Sequence, residues 1–134
     1  MSSIFILQNT WNFENIMSCL HKILNRGDIM TRTERSDLEK ELFLQTNLNP
    51  ALHKCIENIY YEYKLISIRY PSMHEAKFGM LYCKMILSNK RNKKPNYKKI
   101  MNYTKETQTT YYTYRRTVLE YIGKKIKEQN GTLD

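Results

Sequence analysis

Apolar side chains in this chain return at steps of three and four residues, segment after segment, and nowhere alternate for long. A step of three to four keeps a residue on one face of a helix, whereas a strand facing water needs strict alternation. Four glycines and three prolines leave few places where a helix must break. The expectation is an all-α fold. A chain of 134 residues makes one domain, 1–134, long enough to bury a real core. No apolar run reaches the ~18 residues that suggest a membrane-crossing helix. The opening MSSIFILQN lacks the positive region and small-residue cleavage site of a signal peptide.

The segments carry their own start and stop signals. Within residues 1–29, Trp11, Phe13, Ile16, Met17, Leu20, Ile23 and Leu24 form an apolar stripe that Gly27 ends, which predicts an N-terminal helix. Residues 30–49 read as a second helix, capped by Thr31 or Ser36, with Leu38, Leu42 and Phe43 inward. Its carboxylates Asp37, Glu39 and Glu41 read as a solvated face, with no apolar setting to shift a pKa. Asn49-Pro50 opens a third helix, Asn as cap and Pro at the first helical position, running through Leu65. Ser72 and Glu75 have the spacing of a capping box before a fourth helix that ends near Leu87. That helix is apolar nearly all round, and its Ala76 and Gly79 are small enough for close packing. It is the expected centre of the domain. SNKRNKKPNYKK reads as a basic loop, and residues 130–134 as a frayed tail.

Charge divides the chain unequally. Residues 1–83 hold nine Lys/Arg and nine Asp/Glu, whereas residues 84–134 hold thirteen basic and four acidic residues. The whole net charge of +9 therefore belongs to the C-terminal part. Such asymmetry implies an anionic partner for one end of the molecule, nucleic acid ahead of acidic lipid. Catalytic signatures are missing: there is no phosphate-cradling glycine loop, no HExxH and no GxSxG. His21, His53 and His74 stand on separate predicted helices. Cys19, Cys55 and Cys83 are isolated and form no CxxC pair for zinc. Reduced, buried thiols of an intracellular protein are expected, with no enzyme activity, no cofactor and no metal.

The basic part contains a recognisable layout. Pro95 and Asn96 start a short helix that buries Ile100, Met101 and Tyr103. The polar stretch TKET interrupts it, with Thr104 or Thr107 able to cap the next helix. Tyr111, Tyr114, Val118, Ile122 and Ile126 then make one helix face, running to about Glu128. Gln108, Tyr112, Thr113, Arg115 and Arg116 surround the cap and occupy the other face. Short helix, turn, and a helix offering amide, hydroxyl and guanidinium groups is a helix-turn-helix layout. An ordinary helical hairpin with a solvated basic face is the plain alternative. In the first reading Lys90, Arg91, Lys93, Lys94, Lys98 and Lys99 contact phosphates. Gln108, Thr110, Tyr112, Arg115 and Arg116 then reach base edges or flanking phosphates of double-stranded DNA, since Arg pairs bidentately with guanine and Gln with adenine.

From Asp37 to Ile122 the order of elements resembles a single cyclin-like repeat of the transcription factor IIB family. The residues that carry the resemblance are Leu48-Asn49-Pro50, CIENIYYEYK, RYPSMHEA, AKFGMLYCKMIL, the run from Pro95 to Ile100, and TQTTYYTYRR. Initiation factors of that family carry a cysteine zinc ribbon and two repeats; this sequence shows no ribbon and room for one repeat. The resemblance implies a cyclin-like five-helix domain over residues 30–129, an extra N-terminal helix, and a helix-turn-helix-like C-terminal pair. It also implies a DNA-binding, transcription-associated module. The alternative is a protein-interaction scaffold for a polymerase subunit, a TATA-binding-type factor or a kinase. Asn-, Lys-, Ile- and Tyr-rich usage fits an AT-rich genome. The expected site of action is a nucleus or, for a viral source, a cytoplasmic replication site.

Overall fold

In the computed structural model, which describes residues 30–89 and 97–133, the first helix begins at a capping box. Thr31 Oγ1 accepts from the Glu34 N–H at 3.2 Å, and the Glu34 carboxylate accepts from the Thr31 N–H at 2.8 Å. Two donors that a helix start leaves orphaned are thereby satisfied. This helix, α1 (Arg32–Gln45), turns Leu38, Leu42 and Phe43 into the core, as its spacing predicts. α2 (Pro50–Arg69) starts as expected, with Asn49 Oδ1 accepting from the N–H groups of Ala51 and Leu52 at 3.0 and 3.1 Å. It continues one turn past Leu65.

The next start differs from the expectation. α3 (His74–Leu87) has Met73 at its cap position, with no side-chain hydrogen bond there. Pro71 and Ser72 are taken up in a turn closed by the Met73 N–H on the Tyr70 carbonyl at 2.9 Å. The helix therefore begins one residue too late for Ser72 and Glu75 to box it. α4 (Tyr97–Thr104) and α5 (Gln108–Leu133) complete the set. α5 runs on past Glu128, through residues expected to fray; Gly131 weakens a helix by about 1 kcal/mol but does not forbid it.

The fold is all-α: five helices and no strand among the described residues. α3 packs against α2, α4 and α5, and α5 packs against α1, α2 and α3. Their shared core runs from Leu42 and Ile56 through Phe78, Tyr82 and Ile86 to Ile100, Val118 and Ile122. All five helices contribute to it. Gly79 lets α2 and α3 approach closely, since a Cβ there would lie 2.7 Å from the Tyr63 ring. A polar clasp ties the C-terminal ends of α1 and α3. Asn47 donates to the carbonyls of Ile86 and Asn89, and Asn89 donates to the Phe43 carbonyl at 2.7 Å. The clasp fixes the point at which the basic stretch leaves α3. The expected N-terminal helix and the basic residues Lys90, Arg91, Lys93 and Lys94 lie outside the described residues.

Candidate nucleic-acid interface

α5 sorts its side chains by face. Tyr111, Arg115, Val118, Leu119, Ile122 and Ile126 point inward and are buried. Gln108, Thr109, Tyr112, Thr113, Arg116 and Thr117 point outward and are exposed. Each set follows the helical steps of three, four or one that define a single face.

Arg115 is the correction this sorting makes to the sequence reading. It was expected at DNA, and it is only 6% exposed. Its Nε and Nη2 donate to the two carboxylate oxygens of Glu39 at 2.8 and 2.9 Å. Tyr82 Oη donates to the same carboxylate. Glu39 is fully buried, so it too departs from the solvated face expected of α1. The planar guanidinium fork matches a carboxylate bidentately, which is the arrangement a buried charge pair needs to offset its loss of water. Aromatic rings wall the group in: Phe43 lies edge-on to Tyr82 at 6.1 Å, and Phe78 stacks on Tyr82 at 5.7 Å. Burial, and then the Glu39 charge, hold the Tyr82 hydroxyl well above its ordinary pKa. Arg115 thus ties α5 to α1 and is not presented to a ligand. The signal was available in the sequence, because position 115 stands four after Tyr111 and three before Val118.

The exposed side chains of α4 and of the N-terminal half of α5 are mostly polar. Lys98, Lys99, Asn102 and Tyr103 are exposed on α4, at the spacing of one face. Tyr103, which its spacing predicts inside, is 46% exposed, while Ile100 is buried and Met101 half-buried. Between Lys98 and Thr117 no fully exposed side chain is a carboxylate, and Glu106 in the turn is half-buried. Tyr112 is 46% exposed, its ring held edge-on by Tyr111 at 5.2 Å. Thr107 caps α5, its hydroxyl oxygen accepting from the Thr110 N–H at 3.3 Å and its hydroxyl donating to Thr110 Oγ1 at 3.0 Å. Thr110, expected at a base edge, is half-buried and belongs to this cap. Thr113 and Thr117 donate to the carbonyls of Thr109 and Thr113, which leaves their oxygens able to accept.

The turn between the two helices is strained at a lysine. Lys105 has φ of 58°, the left-handed conformation in which a side chain costs roughly 1–2 kcal/mol and glycine costs nothing. Its N–H closes α4 on the Met101 carbonyl at 2.7 Å. The chain keeps a cation at a position where glycine would be relaxed. Such outliers concentrate at functional surfaces.

No family model, characterised protein or solved structure matches this chain. The geometry therefore carries the functional argument alone. Of the residues expected at DNA, Lys98, Lys99, Gln108, Tyr112 and Arg116 are exposed, Thr110 supports the cap, and Arg115 is internal. Lys105, Asn102, Tyr103, Thr109 and Thr113 join the surface. Among the described residues no three His, Cys, Asp or Glu side chains gather closely enough to hold a metal ion. Cys55 and Cys83 are free and buried, and burial pushes the Cys55 thiol up to about 12.

Proposed function

We propose that this chain is a DNA-binding, transcription-associated module, cyclin-like in fold, which engages double-stranded DNA through the outward side of α4 and α5. The observation that carries the reading is the set of exposed side chains from Lys98 to Thr117: cations, amides, hydroxyls and two exposed tyrosines, with no fully exposed carboxylate. Lys98, Lys99 and Lys105 bind phosphates, joined by Lys90, Arg91, Lys93 and Lys94 from the stretch between α3 and α4. Arg116 and Gln108 are the side chains suited to base edges, and Tyr112 and Thr113 to flanking sugar and phosphate. The short α4, the capped turn and α5 support a helix-turn-helix mode of docking, with the N-terminal half of α5 as the recognition helix.

A mixed pool of duplex DNA, presented to the full chain in a mobility-shift assay, tests the reading. The expected result is retention of duplex, enrichment of particular sequences, and loss of both in a Lys98→Ala/Lys99→Ala/Arg116→Ala variant that still melts cooperatively. Retention that this variant leaves unchanged would remove the α4–α5 surface from the mechanism. Arg115 is excluded from the variant because its loss disturbs the core.

A further inference from the structure

α2 is apolar on two sides where one would serve the fold. Its inward stripe, Cys55, Ile56 and Ile59, is buried. In its last turns a second stripe faces water: Tyr61, Leu65 and Ile68 are 52%, 68% and 66% exposed, at positions i, i+4 and i+7. Ile66, Tyr70 and Met73 extend this surface into the turn before α3. Six of the nine exposed large apolar residues recorded among the described residues fall in this one segment. A helix facing only solvent carries polar residues on that side, and a concentrated apolar patch marks a contact surface.

The rim of the patch is mainly basic; Glu57, one turn before Tyr61 on the same face, is paired with Lys54 at 3.5 Å. Lys64, Arg69 and Lys77 are exposed around it, and no Asp or Glu stands between Tyr63 and His74. Glu62, at the patch's edge, is engaged elsewhere: it accepts from Tyr121 Oη at 2.6 Å and faces Lys125 Nζ at 3.8 Å. Glu75 is half-buried.

We infer that this surface docks an acidic amphipathic helix of a partner protein. A stripe of i, i+4 and i+7 spans about 10 Å, the length over which a helical ligand presents its own i, i+3, i+4 and i+7 anchors. The ligand's apolar side chains pack on Leu65 and Ile68, and its carboxylates meet Lys64, Arg69 and Lys77. Charge selects this occupant over three others. A second copy docked by two-fold symmetry would bring the Lys64 and Arg69 cations of the two rims together. Residues 1–29 hold two acidic and two basic side chains, so they bring no excess of acid to the rim. An anionic membrane is recognised by clusters of about 4–8 Lys/Arg, more than this rim supplies. None of the patch residues lies on α4 or α5, so the inference stands apart from DNA binding.

The test titrates the full chain into a fluorescein-labelled synthetic helix with Leu at i, i+3, i+4 and i+7 and Glu at the remaining positions. Saturable binding is expected, weakened about tenfold or more by Leu65→Ser/Ile68→Ser and by Lys64→Glu/Arg69→Glu. These exposed positions leave the melting curve in place. The Lys98→Ala/Lys99→Ala/Arg116→Ala variant is expected to bind the probe as the parent does. Four results would each overturn the inference: no saturation, equal binding of a probe with Lys in place of Glu, patch variants that bind unchanged, or loss of binding only in the α4–α5 variant. Sedimentation showing a dimer that Leu65→Ser/Ile68→Ser abolishes would assign the patch to a second copy instead. Competition of the probe by phosphatidylserine vesicles would assign it to a membrane.

Discussion

Arg115 and Arg116 are neighbours on α5, and the helix turns them to opposite environments. Arg115 enters the core, gives both of its facing donors to Glu39 and shares that carboxylate with Tyr82. Arg116 stands in solvent beside Tyr112 and Thr113 on the same face. One charge is spent inside the molecule to fix how α5 sits on α1; the other is left for a partner. A count of basic residues treats the two alike, and chemistry separates them by burial. The same division runs through the two helices around them. The inward side of α4 and α5 is Ile100, Tyr111, Val118 and Ile122, whereas the outward side is lysine, threonine, amide and exposed tyrosine.

The contrast is sharpest in stability. Arg115→Ala leaves the Glu39 carboxylate buried without its bidentate partner, and a loss of about 3–5 kcal/mol is expected in urea unfolding. Glu39→Ala should fall in the same range, and the double variant should lose less than the sum of the two. Tyr82→Phe removes one hydrogen bond to a charged group, with an expected loss of about 1.5–3 kcal/mol. A stability equal to that of the parent in all three single variants would break the distinction between the two arginines.

Tyr82 also gives the buried side a pH signature. Burial and Glu39 raise its pKa in the folded chain above the ordinary value of 10.0. The folded state therefore keeps this proton where the unfolded chain releases it, so the contribution is intact below pH 10 and is lost as pH rises beyond it. Melts across that range should show the decline in the parent and a shallower one in Tyr82→Phe.

The outward side has smaller expected effects on stability. Lys105→Gly relieves the left-handed strain, and a gain of up to ~1 kcal/mol is expected together with weaker DNA binding. An unchanged affinity in that variant would mean that the strained lysine serves no ligand. Arg116→Ala should stay within about 0.5 kcal/mol of the parent, since it removes an exposed side chain.

Much of the framework was legible because local rules acted without competition. Asn49-Pro50 specifies a cap and a first helical residue, and nothing nearby offers another start. Gly79 stands on a helix where its only advantage is close approach, which the Tyr63 ring confirms. Ser72 misled because the Tyr70–Met73 turn uses the residue that the capping box needed. The candidate site was legible by residue type and only partly by face. Helical spacing set Gln108, Tyr112 and Arg116 opposite the Tyr111–Val118 face, and they are exposed; Lys98 and Lys99 were read from charge alone. Arg115 stands at a core position of α5, four after Tyr111 and three before Val118, but its charge, like that of Glu39, reads as surface until the partner that offsets it is known. The two are 76 residues apart in sequence, and local patterning carries no information on a pair formed by folding. Pattern alone does not separate the exposed stripe on α2 from core, because an apolar residue at helical spacing reads as core on either face of a helix.

The measurement that bears most directly on the division between the two faces is the salt dependence of duplex binding. Each phosphate contact contributes about 0.9 to the slope of log K against log salt concentration. The Lys98→Ala/Lys99→Ala/Arg116→Ala variant loses two of the assigned phosphate contacts and should show a slope shallower by up to about 1.8, with an unfolding curve that overlays the parent's. A slope equal to the parent's, in a variant that folds as well, would contradict the assignment of the outward side of α4 and α5 to nucleic acid.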